Sequence, residues 1–293
     1  MIERYLRELS DELRGVGIRG SLERRILLEA EDHLRSDAEA LQRFGSSKVV
    51  AARFADELAT TRARGAAAAT FVALAVAGAS YAALFVLAPR GGDIFATGAA
   101  RTAPALAAGA LVVLAPQVAF VAGVLAALRA FRFRHDAVAP AAAVRLLRRQ
   151  TTTALGAGWV TLGSLAIFGL AKGGPEPQWW LPALVAGCLA GAVPLTWATV
   201  RVLRSRALEP RATGPAGDAY DDLDVVAHGH VDLRRRPWAF CALAAVGAAL
   251  ATAAAAALAG QPHEGIVNGC LEALAVAGGF WAFGEELGLR PSR

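Results

Sequence analysis

The sequence predicts an all-α fold: an integral membrane six-helix bundle preceded by a small cytoplasmic three-helix domain. Three observations predict it. Residues 66–87, 103–128, 152–171, 180–202, 238–259 and 266–283 are six nearly uncharged stretches rich in Ala, Leu, Val and Gly. A helix needs about 20 apolar residues to span the hydrocarbon core, because it rises about 1.5 Å per residue through roughly 30 Å, and each stretch is long enough. Residues 1–64 contain no such run and carry 12 Arg/Lys against 12 Asp/Glu. A hydrophobic content of 55% and a mean hydropathy of +0.42 place the whole chain in the membrane class. The expected domains are therefore a helical head over residues 1–64 and a six-span domain over residues 65–287, with a cytoplasmic connection at residues 203–237.

The head reads as three helices. Ile2, Tyr5, Leu6, Leu9 and Leu13 keep the 3.6-residue period, and Gly15 and Gly17 end that first segment. Ser21 can cap a second, whose apolar face is Leu22, Ile26, Ala30, Leu34, Ala38 and Leu41. Ser46 or Ser47 can cap a third, lined by Val50, Phe54 and Leu58. Neither Gly nor Pro lies between Ser46 and Arg64, so this helix is expected to run on into the first span and couple head to membrane. A unit of about 60 residues buries only a modest core, which implies that it packs on a partner or on the membrane domain itself.

Loop charge orients the spans. Arg129, Arg132, Arg134, Arg145, Arg148 and Arg149 follow the second stretch, and Arg201, Arg204, Arg206, Arg211, Arg234, Arg235 and Arg236 follow the fourth. The alternate connections hold Arg90 and Arg101, then Lys172, then no basic residue between Gly260 and Gly265. Excess Lys/Arg marks the cytoplasmic side, so both termini are expected in the cytoplasm. Residues 1–64 show no apolar signal-peptide core, which would leave the head where it is made. Trp179, Trp180, Trp238 and Trp281 sit where interfacial anchors belong. Gly187 and Gly191 form a GxxxG pattern suited to close helix approach.

Within the spans, Glu272 is the ionisable residue set well inside, with Asn268 one turn before it. A carboxylate in hydrocarbon costs several kcal/mol, so Glu272 should face the bundle, pair or be protonated. Gln117 beside Pro116, and Pro194, mark candidate kinks.

The chain has no GxxxxGK[ST], HExxH or GxSxG, which leaves the common ATPase, metalloprotease and hydrolase readings without a motif. No catalytic residue, cofactor or metal site is predicted. Cys188, Cys241 and Cys270 fall in apolar stretches without CxxC spacing. Asp218, Asp221, Asp222, Asp224, His228, His230 and Asp232 carry metal-ligand chemistry, but they follow Pro210, Gly214, Pro215 and Gly217 and read as a solvated loop with a short amphipathic piece. The head's formal charge of zero argues against direct nucleic-acid binding, which would need a basic excess. Of the basic residues, 28 are Arg, a composition bias that says little about partners. The Arg-rich connection at residues 129–149 can hold anionic headgroups of membrane lipids, each basic residue near the surface contributing about 1 kcal/mol. Association with further copies of the chain is left open.

Glu23-Arg24-Arg25-Ile26-Leu27-Leu28-Glu29-Ala30-Glu31-Asp32-His33-Leu34, then Arg43-Phe44-Gly45-Ser46, then Val50 to Leu58 carry a pattern that resembles the HAAS signalling domain and the related permease-prefix domain, over roughly residues 4–60. The turn reads Gly45-Ser46-Ser47-Lys48 where that family has Pro and Glu. The resemblance implies a bacterial cytoplasmic-membrane protein working with a PadR-like transcription factor. The expected function is non-enzymatic and regulatory, with Glu29, Glu31, Asp32, His33 and Arg35 as the partner-docking face. The alternative is a small transporter or permease-associated subunit that uses Glu272.

Overall fold

The computed structural model describes residues 1–36, 45–87, 103–171, 181–217, 221–222, 237–258 and 262–282. Among these the regular structure is helical: α1 (Ile2–Gly15), α2 (Ser21–Ser36), α3 (Ser47–Leu87), α4 (Ala103–Arg132), α5 (Ala141–Ala171), α6 (Leu181–Ser205), α7 (Pro237–Leu258) and α8 (Pro262–Ala282). Over its described residues each of the six apolar stretches falls in a helix. α3, α4 and α6 contain segments long and apolar enough to cross a membrane, over Ser47–Ser80, Ala107–Arg132 and Val185–Ser205. Large apolar side chains on their outer faces and on the α7–α8 pair stand uncovered, Phe120 at 64%, Val193 at 70% and Leu243 at 77% exposure among them. Soluble monomers rarely expose so many contiguous apolar groups.

α1 ends as its glycines predict. The Ile18 N–H donates back to the Leu13 carbonyl at 2.8 Å, and Gly17 takes φ +89° to make that turn. A side chain at Gly17 would also meet the Ala207 carbonyl, at 3.3 Å from its Cβ. α2 starts at Ser21, with the Gly20 carbonyl accepting the Arg24 N–H, one residue earlier than a Ser21 cap would place it. The Ser46 carbonyl accepts from Val50 at the start of α3, where Ser46 was expected to cap. Of the predicted α2 face, Ala38 and Leu41 lie outside the described residues.

α3 is one unbroken helix of 41 residues, about 60 Å long at 1.5 Å per residue, and it runs through Arg62 and Arg64 as expected. Its buried face in the head differs from the predicted one. Ala51, Ala55 and Ala59 are the residues packed inside, with Val50, Phe54 and Leu58 only partly covered on the flank. The small side chains let α1 lie close against α3, and Leu9, Leu13, Ile18, Ile26 and Ala30 close the core over them.

The bundle is built of helix pairs: α3 on α6, α4 on α5, and α7 on α8, with α5 also meeting α6 and α3 crossing both α4 and α5. Ala66 and Ala73 pack on Leu155, Leu195, Ala198 and Val202. The α7–α8 pair joins through Ala245, Val276 and Phe280 against Val121, Ala122 and Leu125 of α4. Gly269 permits close contact within that pair, since a Cβ there would sit 2.8 Å from the Ala249 carbonyl. Pro116 and Pro194 lie inside α4 and α6, which continue past them.

The head is seated on two connections of the bundle. Leu208, just after α6, is fully buried in the head core. Arg64 Nη1 donates to the carbonyls of Phe133 (2.6 Å), Arg134 (2.8 Å) and Asp136 (3.3 Å), satisfying backbone groups at and beyond the C-terminus of α4. The Ala139 N–H donates to Thr60 Oγ1 at 3.1 Å, and the Arg211 N–H to Asp56 Oδ1 at 2.5 Å. The packing surface implied by the head's small size is thus the helical bundle of the same chain.

Inside the head, Glu23 is buried and accepts from Ser10 Oγ at 2.7 Å and Arg14 Nε at 2.8 Å. The Ser10 hydroxyl, aided by the Arg14 guanidinium, holds its carboxyl below the ordinary glutamate value against the opposing effect of burial. A lowered folded-state value means that ionisation favours folding: the contribution is complete above the unfolded value and is lost as pH falls through the folded one. Glu23→Gln should therefore destabilise the head at neutral pH and lose that effect in acid. Melting of wild type and variant at both pH values checks this, and a gap that is independent of pH contradicts it.

Candidate functional site

The five head residues singled out in the sequence lie on α2 away from its buried stripe of Glu23, Ile26, Ala30 and Leu34. Glu29, Asp32 and His33 are exposed. Glu31 and Arg35, one turn apart, form an ion pair at 2.5 Å, with Arg35 the more open of the two. Ser36 Oγ donates to the His33 carbonyl at 3.0 Å and secures the end of the helix. Exposed surface pairs of this kind contribute little to stability, so the charges are available for another use.

One apolar residue was not anticipated on this surface. Leu28 is 66% exposed, one turn before Asp32 and three residues before Glu31. It falls off the 3.6-residue stripe that runs from Leu22 through Leu34, which is the signal that identifies it. Helical spacing places Arg24, Arg25, Glu31 and Asp32 one turn from Leu28, so the outer side of α2 carries one exposed leucine among charged residues. Among the described residues no group of three or more His, Cys, Asp or Glu side chains is placed to hold a metal ion.

Glu272 is paired across a helix interface. Gln117 Nε2 of α4 donates to Glu272 Oε1 of α8, joining the α7–α8 pair to the rest of the bundle beside Pro116. Asn268 lies one turn earlier on α8, and its side chain lies outside the described residues. Interhelical hydrogen bonds in membranes contribute about 0.6 kcal/mol on average and up to about 1.7. Glu272→Gln retains an acceptor and should leave thermal stability near wild type, while Glu272→Leu should lose about that amount. Equal melting of the two variants in detergent would contradict the pairing role.

The acidic connection departs from its sequence reading. Asp222 is not solvated: it is fully buried against fully buried Arg129, with Nε to Oδ2 at 2.8 Å. Arg132 Nη1 reaches Asp222 Oδ1 at 3.2 Å and Asp221 at 3.4 Å, and Arg129 also donates to the Gly217 carbonyl at 3.3 Å. Burial pushes the Asp222 carboxyl up, while Arg129 and Arg132 pull it back toward ionisation. The pair straps the connection after α6 to the end of α4, next to the surfaces on which the head rests. Asp218, Asp224, His228, His230 and Asp232 lie outside the described residues.

Comparison with protein-family models, with curated proteins and with solved structures finds no match to this chain.

Proposed function

We propose that this protein is a non-enzymatic regulatory membrane protein whose cytoplasmic helical head binds a protein partner, a PadR-like transcriptional regulator. In this reading the bundle crosses the bacterial cytoplasmic membrane six times with both termini inside, which the Arg-rich connections after the second and fourth stretches support. The observation that carries the reading is the construction of the head. Its inner side is fastened to the bundle through α3, Arg64 and Leu208, while the outer side of α2 presents Leu28 within a charged rim. A rearrangement among the spans would reach the head through a continuous helix and two seated connections, and the outer face would carry it to a partner. Like the resemblance at residues 4–60, this favours a protein ligand over nucleic acid.

The test is capture of a co-expressed PadR-like regulator from membranes. The Glu31→Lys, Asp32→Lys double variant should lose capture while its head remains as resistant to protease as wild type. Undiminished capture by the double variant would sink the docking face. A second reading, a transporter or permease-associated subunit, is favoured by the Gln117–Glu272 pair between apolar helices. It requires that reconstituted protein move an ion or solute and that Glu272→Gln slow the movement.

A further inference from the structure

α3, α4, α5 and α6 line a partly open cavity of about 360 Å³. Thr161 is the polar side chain of its described lining, and that hydroxyl already donates to the Ala157 carbonyl at 2.9 Å. Glycines shape the space. A Cβ at Gly158 would meet Leu74 Cδ2 at 2.7 Å, and one at Gly191 would meet Leu162 at 3.3 Å, so the helices are already in contact there. At Gly78, which also lines the cavity, a Cβ would meet nothing within 4 Å. Gly187 of the GxxxG pattern lies in the lining as well, so this motif both brings α6 close and leaves room beside it.

We propose that this cavity holds one hydrocarbon chain of a membrane lipid, admitted from the bilayer between Phe71 of α3 and Phe120 of α4. Both phenylalanines line the cavity, and both are open to the outside, at 43% and 64%. They stand on two of the helices able to cross a membrane, so the mouth opens onto an apolar surface and what enters arrives through hydrocarbon. A polar ligand would give up its hydration there and find no side-chain donor in exchange. An apolar lining disfavours water for the same reason: apolar cavities of roughly 150 Å³ stay dry and take up small hydrocarbons. The larger volume here falls in the range of about 300–1,000 Å³ typical of ligand sites. The inference rests on the membrane placement of α3, α4 and α6 and is independent of the regulatory reading.

The test uses the full-length protein in nanodiscs containing a phosphatidylcholine with a diazirine at mid-chain. After irradiation, labelling is mapped by peptide mass spectrometry. Leu165 and Leu195 line the cavity but are almost fully buried, so a surrounding lipid reaches them only through it, whereas Leu189 and Val193 are exposed on α6 and report lipid at the surface. Wild type should be labelled at Leu165 and Leu195 as well as at the surface pair. Gly78→Leu, which fills open space, and Ala75→Leu, at an exposed lining position, should each reduce the inner labelling by about tenfold while leaving the surface labelling unchanged. Surface labelling without inner labelling in wild type, or inner labelling that persists in both variants, would overturn the proposal.

Discussion

Asp222→Ala is expected to destabilise the protein by about 3–5 kcal/mol, the effect of removing one member of a buried ion pair. Arg129 has no exposed surface, and among the described residues its Nη1 is buried without a hydrogen-bond partner, so the loss of Asp222 would leave the guanidinium charge, among those residues, with the Gly217 carbonyl alone. Arg132 is partly open and can turn to water when its share of Asp222 is lost. Thermal unfolding of the purified protein in detergent measures the effect. Combining Arg129→Met with Asp222→Leu should recover most of the loss, because replacing both partners with apolar groups also removes the desolvation penalty. A single variant that melts with wild type would mean that water reaches the pair.

Leu208→Ala should destabilise the head by about 2–5 kcal/mol, the range for deleting a well-packed leucine side chain. The residue belongs to the connection after α6, yet its side chain is enclosed among Leu9, Leu13, Ile18 and Ala55. Its loss would leave a cavity at the seat of the head. The adjoining Leu203, 60% exposed, makes a suitable control, and Leu203→Ala should change little. Limited proteolysis and amide exchange over residues 1–36 should show faster opening in Leu208→Ala alone. Protection unchanged in that variant would mean that the head folds without its seat.

The helices themselves were legible because each rests on a local signal: uncharged length for the six apolar stretches, 3.6-residue periodicity for α1 and α2, and glycines for the turn at Gly15 and Gly17. Continuity of α3 followed from the lack of any breaker between Ser46 and Arg64. Contacts between distant segments left no local trace. Asp222 reads as part of a solvated acidic loop until Arg129, 93 positions away, is placed beside it. Leu208 looks like any loop leucine, and Gln117 gives no sign that it faces Glu272. The third head helix misled for a different reason: Val50, Phe54 and Leu58 are the larger apolar groups, but close packing against α1 selects the alanines at 51, 55 and 59. On α2, the charges at Glu29, Glu31, Asp32, His33 and Arg35 were visible as an outer face, whereas Leu28 emerged only once the buried stripe was fixed.

The most direct test of the proposed regulatory role is equilibrium binding of a purified PadR-like regulator to the full-length chain in nanodiscs. Saturable binding is expected, with loss of affinity in Leu28→Glu and in the Glu31→Lys, Asp32→Lys double variant, whose heads stay folded by amide exchange. Wild-type protein with a folded head that shows no saturable binding, or charge-reversed protein that binds as tightly as wild type, would contradict it.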